Sequence, residues 1–212
     1  MIKICNVADV FAVNSYFCID DKTGHGFLID PGAEAGFLSD VIDKKGWTIE
    51  KILLTHGHID HIGAVAELSA KYGIPYYIHE EGRRYLTDQR WNLCAFCNRR
   101  IVLTDAHYLS DGDVISLDSN SDYHLQVIYT PGHTLDSITY YKADEHFAFV
   151  GDTIFRGCPG STEYIGSNKE QLCDSIYNKI LTLPKDTILY SGHTEPTSVG
   201  KEMSMYKQSS RR

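Results

Sequence analysis

Four side chains that commonly bind metals lie within six residues of one another: His56, His58, Asp60 and His61. If residues 55–58 are extended, the two outer histidines of His56-Gly57-His58 project to the same side, because side chains alternate along a strand. Asp60 and His61 follow where the chain turns toward a helix, so they point to an adjacent position. The spacing therefore predicts one loop that serves two metal ions.

The ligand types indicate which metals this loop would bind. Imidazole nitrogen and carboxylate oxygen suit Zn²⁺ and also Fe or Mn, with Zn²⁺ favoured. The cluster contains no cysteine, which argues against a purely structural zinc site. The alternative is a hydrogen-bonded polar loop in which the histidines occur by chance.

Three further candidate ligands follow later apolar segments, each directly after a glycine. They are His133 in Thr-Pro-Gly-His-Thr, Asp152 in Gly-Asp-Thr and His193 in Ser-Gly-His. Glycine lets the backbone approach a site closely or turn without a Cβ clash. Taken singly, each of these dipeptides is also typical of an ordinary turn.

The elements that must position these residues can be predicted from hydrophobic periodicity. Strands are expected at residues 26–30, 51–55, 76–79, 125–129, 137–141, 146–150 and 187–190. Helices are expected at residues 37–45, 62–72 and 169–181, with helix and loop over 80–100. The order βαβα, several strands, then αβ predicts mixed sheets covered by helices.

The composition of the whole chain narrows the classes of protein. With 212 residues, 42% of them apolar, we expect one domain over 1–212. A net charge of −8 disfavours a nucleic-acid partner, and no window approaches eighteen uncharged apolar residues, so no membrane span is expected. The N-terminus lacks a signal sequence and the six cysteines are irregularly spaced, which favours a cytoplasmic protein.

Several reactive side chains are predicted to be structural only. The pair Cys94 and Cys97 has no second C-x-x-C to complete a zinc site, and Cys158 is expected to be a small buried thiol. We expect the histidines outside the motifs to make surface or ordinary polar contacts: His25, His79, His107, His124 and His146.

Taken in order, the motifs form a recognisable series. Thr-His-Gly-His-Ile-Asp-His, Thr-Pro-Gly-His-Thr, Gly-Asp-Thr-Ile-Phe and Ser-Gly-His resemble the metallo-β-lactamase superfamily, and more narrowly its glyoxalase II branch and short bacterial relatives. The similarity runs from Phe11 through Glu195. It implies an α+β fold, the αββα sandwich of two mixed sheets flanked by helices, with the metals at one edge.

The resemblance also implies a role for each candidate. The first metal would be held by His56, His58 and His133, and the second by Asp60, His61 and His193. Asp152 would bridge them. Asp60 would also orient the attacking hydroxide. Asp30, in Asp-Pro-Gly, is similar to a residue that orients a ligand, although it could equally be a turn former.

The chemistry implied is hydrolysis of a small-molecule thioester, such as an S-acylated small thiol. Two metals about 3.5–4 Å apart would share a water and lower its pKa toward neutrality. Two departures from the family concern the substrate. No C-terminal helical glutathione-binding domain is expected, and Gly160-Ser161-Thr162-Glu163 has Ser161 where many short members have arginine. No substrate-binding residue is predicted.

Two alternatives come from other classes of protein. One is a mononuclear iron persulfide dioxygenase, in which His56, His133 and Asp152 would bind a single Fe. The other is a metal-holding module that binds a ligand without turnover. A true β-lactamase is disfavoured because secretion is expected there, and a nuclease is disfavoured by the acidic balance.

Overall fold

The N-terminal half of the chain forms a six-stranded mixed sheet whose strands lie in sequence order. The structure is a computed structural model, and residues 1–209 are described. The first three strands are antiparallel neighbours and the last three follow in parallel. The strands are β1 (Ile2–Ala8), β2 (Ala12–Ile19), β3 (His25–Ile29), β4 (Thr48–Leu53), β5 (Tyr76–His79) and β6 (His107–Leu109).

The C-terminal half forms a second six-stranded sheet, in the order β14-β13-β10-β9-β8-β7. Only its β10–β13 pair is parallel. Its strands are β7 (Val114–Ser116), β8 (His124–Tyr129), β9 (Ile138–Lys142), β10 (Phe147–Gly151), β13 (Ile188–Ser191) and β14 (Thr197–Ser198). A separate hairpin pairs β11 (Ile154–Phe155) with β12 (Cys158–Pro159).

Helices cover the outer face of each sheet. The first sheet carries α1 (Ala35–Lys45), the single turn α2 (Ile59–Ile62) and α3 (Val65–Tyr72). The second carries α4 (Lys169–Ser175), which continues as a π-helical turn over Ile176–Ile180, and α5 (Val199–Ser209). No helix within residues 1–209 has the length and apolar character needed to cross a bilayer.

Apolar side chains fill three layers: one between the two sheets and one between each sheet and its helices. The strands are therefore buried on both faces. In β3, Leu28 packs toward α1 and α3 on one side, while Phe27 and Ile29 pack between the sheets. In β10, Phe149 lies between the sheets and Val150 packs toward α4. The arrangement is an αββα sandwich, and the predicted α+β fold class is confirmed.

Every predicted strand overlaps an observed one, but the helix predicted over residues 62–72 is interrupted. Its first turn ends at Ile62, and α3 starts only at Val65. At Gly63 the backbone lies so close to the β3 turn that an added Cβ would be 2.1 Å from the Gly32 carbonyl oxygen. The segment 80–100 holds only two short 3₁₀ turns, Glu80–Arg83 and Cys94–Phe96.

The cysteine predictions have a mixed outcome. All six thiols are free; Cys94 is buried and Cys97 is half-buried. Cys158 is exposed, so the expectation of a buried thiol was wrong. It lies in the two-residue strand β12, where neither Cys158 nor Pro159 is covered by another element.

Two tyrosine hydroxyls link the sheets across the central layer. Tyr16 of β2 donates to the carbonyl of Ser191 at 2.5 Å, and Tyr140 of β9 donates to the carbonyl of Leu54 at 3.0 Å. Both tyrosines are buried. Burial, with a smaller effect from the nearby Asp30 carboxylate, raises the pKa of Tyr140 well above its ordinary value, so the hydroxyl stays a donor.

We expect Tyr140→Phe to lower the free energy of unfolding by about 1–2 kcal/mol, because the Leu54 carbonyl loses its buried partner. Urea denaturation followed by circular dichroism measures this. Tyr177, which is 45% exposed, supplies the control: Tyr177→Phe should change stability by less than about 0.5 kcal/mol. Equal effects of the two substitutions would contradict the proposed role of the inter-sheet bond.

Candidate metal centre

The candidate ligands come together at one edge of the sandwich, because each follows the end of a strand. The loop that carries four of them leaves β4 and runs into α2. His133, Asp152 and His193 follow β8, β10 and β13 of the second sheet, respectively. Both sheets therefore supply ligands, and the structure brings all seven predicted residues to the same place.

Three imidazoles form the first group: His56, His58 and His133. The Nδ1 atom of His58 lies 3.2 Å from Nε2 of His56 and 3.1 Å from Nε2 of His133. Zinc–nitrogen bonds of about 2.0–2.1 Å in a tetrahedron place ligand nitrogens about 3.3–3.4 Å apart. The spacing of the three nitrogens suits a shared cation.

Asp60, His61 and His193 form the second group. Oδ2 of Asp60 lies 3.2 Å from Nε2 of His193 and 3.9 Å from Nε2 of His61. Asp152 lies between the two groups. Its Oδ2 is 3.2 Å from Nε2 of His193 and 3.6 Å from Nε2 of His133, while Oδ1 is 3.5 Å from Nε2 of His61.

Hydrogen bonds at the far side of four imidazoles fix which nitrogen faces the site. In each of these rings Nδ1 contacts a protein oxygen, so Nε2 is the nitrogen that faces the site. The acceptors are Thr55 Oγ1 for His56 at 3.2 Å, Asp30 Oδ2 for His61 at 3.0 Å, the Ser161 carbonyl for His133 at 2.8 Å and the Ala12 carbonyl for His193 at 2.7 Å.

Asp30 is both a turn former and a residue that orients a candidate ligand, the two roles that the sequence allowed. Its backbone has a positive φ of 47°, which is a turn conformation. Its buried carboxylate also accepts from the amide and the hydroxyl of Thr55, both at 2.7 Å, besides holding His61. Asp30 thus positions two ligand-bearing segments at once. Sequence reasoning missed Thr55, Ser161 and Ala12, the last two because they act through backbone carbonyls.

The electrostatics of the two groups differ. Burial, reinforced by the neighbouring imidazoles, lowers the pKa of His56 and His58 well below the usual value. Burial acts in the same direction on His61, but the carboxylates of Asp30, Asp152 and Asp60 outweigh it and raise its pKa well above the usual value. The pKa of His193 is raised to about 10 because hydrogen bonds with Asp152 and Asp60 outweigh burial.

Unpartnered buried atoms show that these residues fit metal ions. Nε2 of His58, Nε2 of His61 and Oδ1 of Asp152 are buried without a hydrogen-bond partner. Such atoms are costly unless a cation or another polar group satisfies them. Nε2 of His61 and Oδ1 of Asp152 face the second group, where a divalent ion would satisfy both; Nε2 of His58 is on the far side of its ring.

A cavity of about 340 Å³ opens onto the candidate ligands. His58, Asp60, His133, Asp152 and His193 line its floor. Only one of its wall residues, Ser161, had been linked to the substrate from the sequence; the walls are formed by Phe11, Ala12, Leu93, Phe155, Ser161 and Tyr164. The one available signal was the departure from the family pattern at residues 160–163, which adjoins Tyr164.

The model of the Metallo-beta-lactamase superfamily matches residues 8–193. The chain belongs to the metallo-β-lactamase superfamily. The resemblance found from the motifs is confirmed. The superfamily consists of metallo-hydrolases that bind divalent metal ions. The match spans every candidate ligand, from His56 to His193.

Two curated relatives cover most of the chain. The probable metallo-hydrolase YqgX of Bacillus subtilis is 38% identical over 88% of this chain and 87% of its own length. Hydroxyacylglutathione hydrolase GloC of Haemophilus influenzae is 31% identical over 91% and 90%, respectively. The glyoxalase II-like resemblance is thus supported by a relative of nearly the same extent.

Two solved structures of the superfamily have nearly the same fold. The B3 metallo-beta-lactamase BLEG-1 has a TM-score of 0.90 and 33% identity, covering 96% of this chain and 97% of its own. TTHA1623, solved in a di-iron-bound form, has a TM-score of 0.84 and 27% identity over 96% and 98%. The two structures share this fold although one is described as a B3 metallo-beta-lactamase and the other as a di-iron-bound protein.

The remaining histidines lie outside both superfamily ligand groups and make ordinary contacts. His25 pairs with Glu50 and His146 with Asp186, each at 2.7 Å. His79 contacts Tyr129, His107 contacts Tyr77, and His124 contacts the carbonyl of Asp122.

Gly192 allows the closest approach at the site. A Cβ there would lie 2.3 Å from Oδ1 of Asp152 and 2.8 Å from Cε1 of His61. We expect Gly192→Ala to weaken metal binding at least tenfold, since the displaced groups are ligands. Chelator competition measures it. Gly36→Ala is the matched control, because no atom lies within 4 Å of its added Cβ; an equal loss there would contradict the prediction.

Metal binding should release protons. His61 and His193 are protonated at neutral pH in the metal-free protein because their pKa values are raised, whereas ligation requires neutral imidazole. Affinity should therefore fall as the pH decreases, and up to about two protons should be released at pH 7. Calorimetry in buffers of different ionisation enthalpy counts them. Binding without proton release would show that these imidazoles are already neutral.

Proposed function

We propose that this chain hydrolyses thioesters of small thiols, using two divalent metal ions. The observation that carries the proposal is the position of Asp152, whose two oxygens face both ligand groups. The similarity to GloC, named as a hydroxyacylglutathione hydrolase, supports the thioester as substrate class. We further propose Zn²⁺ as the metal, with Fe as the alternative in view of the di-iron form of TTHA1623.

The chemistry supplied by two such ions, when bound, is Lewis acidity toward a carbonyl oxygen and activation of water near neutral pH. Among the described residues, no cysteine lines the cavity, and Ser161 supplies its one aliphatic hydroxyl. Direct attack by water, without an acyl-enzyme, is the reaction this cavity supports.

Asp60 is the residue of this chain best placed to direct that water. It lines the cavity, and its Oδ2 lies 3.2 Å from Nε2 of His193. Burial raises its pKa, but His61 and His193 outweigh burial, so the carboxylate remains ionised and accepts a hydrogen bond. Its role is to accept a hydrogen bond from the attacking water and so to orient it.

The persulfide dioxygenase alternative requires only three of the ligands, His56, His133 and Asp152. It leaves Asp60, His61 and His193 without a function, although their ligand atoms converge within 4.8 Å. This convergence favours two metals over one. A non-catalytic module would need the same residues, so only turnover separates it from an enzyme.

Metal analysis with a hydrolysis screen tests the proposal. We expect about two equivalents of metal and turnover of at least one thioester, in a panel that also contains lactones, β-lactams and phosphodiesters. One equivalent of iron, with oxygen uptake on a persulfide, would identify the dioxygenase instead. Two equivalents with no turnover of any substrate would favour the binding module.

Asp60→Ala should lower kcat by about 10²–10⁴-fold while the circular dichroism spectrum is retained. The matched control is Asp40→Ala in α1, whose side chain is 68% exposed, and it should keep full activity. Metal content is measured in both variants. Full activity of the Asp60 variant would remove this residue from the mechanism.

A further inference from the structure

Aromatic rings cover both ligand groups on the cavity side. The Tyr164 ring packs edge-on against His58, with centroids 5.5 Å apart, and lies 6.1 Å from His133. The Phe155 ring packs edge-on against His193 at 5.8 Å. Phe11, 48% exposed, also lines the cavity. A substrate bound at the ligands therefore meets apolar surface on several sides.

Leu93 completes this apolar wall in a disfavoured backbone conformation. Its φ is 69°, in the left-handed region that a leucine rarely adopts, and it is only 7% exposed. The preceding Asn92 holds it in place, since its carbonyl accepts from the amide of Ile59 at 2.9 Å and its side chain accepts from the amide of Cys94 at 3.1 Å. Backbone strain that the surroundings maintain is characteristic of functional sites.

Among the described residues, no lysine or arginine lines the cavity. Its carboxylates, Asp60 and Asp152, and its imidazoles all belong to the ligand groups on its floor. Arg99 and Arg100 line a neighbouring cavity that shares Phe11 and Asp60 with this one, and Arg99 is paired there with Asp9 at 2.5 Å. A carboxylate seated against Leu93, Phe155 and Tyr164 would have no cationic partner among these wall residues, which is costly.

We propose that the substituent bound beside the scissile bond is apolar and uncharged: a branched aliphatic or aromatic group seated against Leu93, Phe155 and Tyr164. This rests on the proposed thioester hydrolysis and specifies its substrate class. The group can belong to the acyl half or to the thiol half, which share this chemistry. Small polar and anionic substituents are the disfavoured class.

Two series of thioesters distinguish whether the apolar group belongs to the acyl half or to the thiol half of the substrate. The first joins acetyl, isovaleryl, phenylacetyl and succinyl groups to the uncharged thiol N-acetylcysteamine. The second joins acetate to benzyl mercaptan, 2-mercaptoethanol and mercaptoacetate. In at least one series, we expect kcat/KM of the apolar members to exceed that of the small neutral member by about tenfold or more, with the anionic member lowest. Flat profiles in both series, or an anionic optimum, would overturn the proposal.

Leu93→Asn tests the wall itself, because asparagine tolerates positive φ and has a similar size but a polar side chain. We expect the ratio of apolar to acetyl kcat/KM to fall about tenfold. Tyr164→Phe should keep the ratio and Tyr164→Ala should lower it. Phe96→Ala is the control, since Phe96 is 73% exposed and outside the cavity lining. An unchanged ratio in both Leu93→Asn and Tyr164→Ala would exclude this wall as the determinant.

A binding measurement separates failure of this inference from failure of the proposed function. Calorimetry on the metal-loaded protein compares phenylacetate with glycolate, and benzyl mercaptan with mercaptoacetate. If no thioester is hydrolysed, tighter binding of either apolar ligand still supports the apolar site while the proposed reaction fails. Equal or reversed affinities in both pairs overturn the apolar site whatever the reaction.

Discussion

The carboxylate of Asp152, held between the two candidate ligand groups at the edge of both sheets, is the constraint on which the site depends. Oδ1 of this carboxylate is buried without a hydrogen-bond partner. Burying such a charge is costly unless cations neutralise it. In the protein alone, His61 and His193 do so as protonated imidazoles. A divalent ion displaces those protons, so metal binding and protonation compete for one buried charge.

This constraint extends into the sandwich because the ligands come from both sheets. The two sheets must stay in register to within the tolerance of a metal–ligand bond, and apolar packing alone allows small shifts. Directional bonds supply the precision. The Tyr16 hydroxyl joins β2 to the end of β13, and the Tyr140 hydroxyl joins β9 to the residue after β4. Asp30 holds Thr55 and His61 together at the same edge.

The parts that could be predicted from sequence are those with local causes. Strand alternation already placed His56 and His58 on one side, and glycine before His193 predicted the close approach now seen at Asp152. The break after Ile62 could not be predicted, since the amide of Ala64 there donates to the carbonyl of Pro31, far away in sequence. Leu93 could not be placed either, because nothing local favours a left-handed leucine; its neighbours across the loop impose it.

The same distinction explains why family membership leaves the substrate open. Metal ligands must meet the bond lengths of their ion, which constrains their positions, and the fold that carries them is shared with a B3 metallo-beta-lactamase and with a protein solved in a di-iron-bound form. The cavity walls are under no such constraint, because loops tolerate change more readily than the strands they connect. A strained residue is the exception. Its neighbours hold Leu93 at an unfavourable φ of 69°, and because its side chain lines the cavity, this part of the wall has a fixed position.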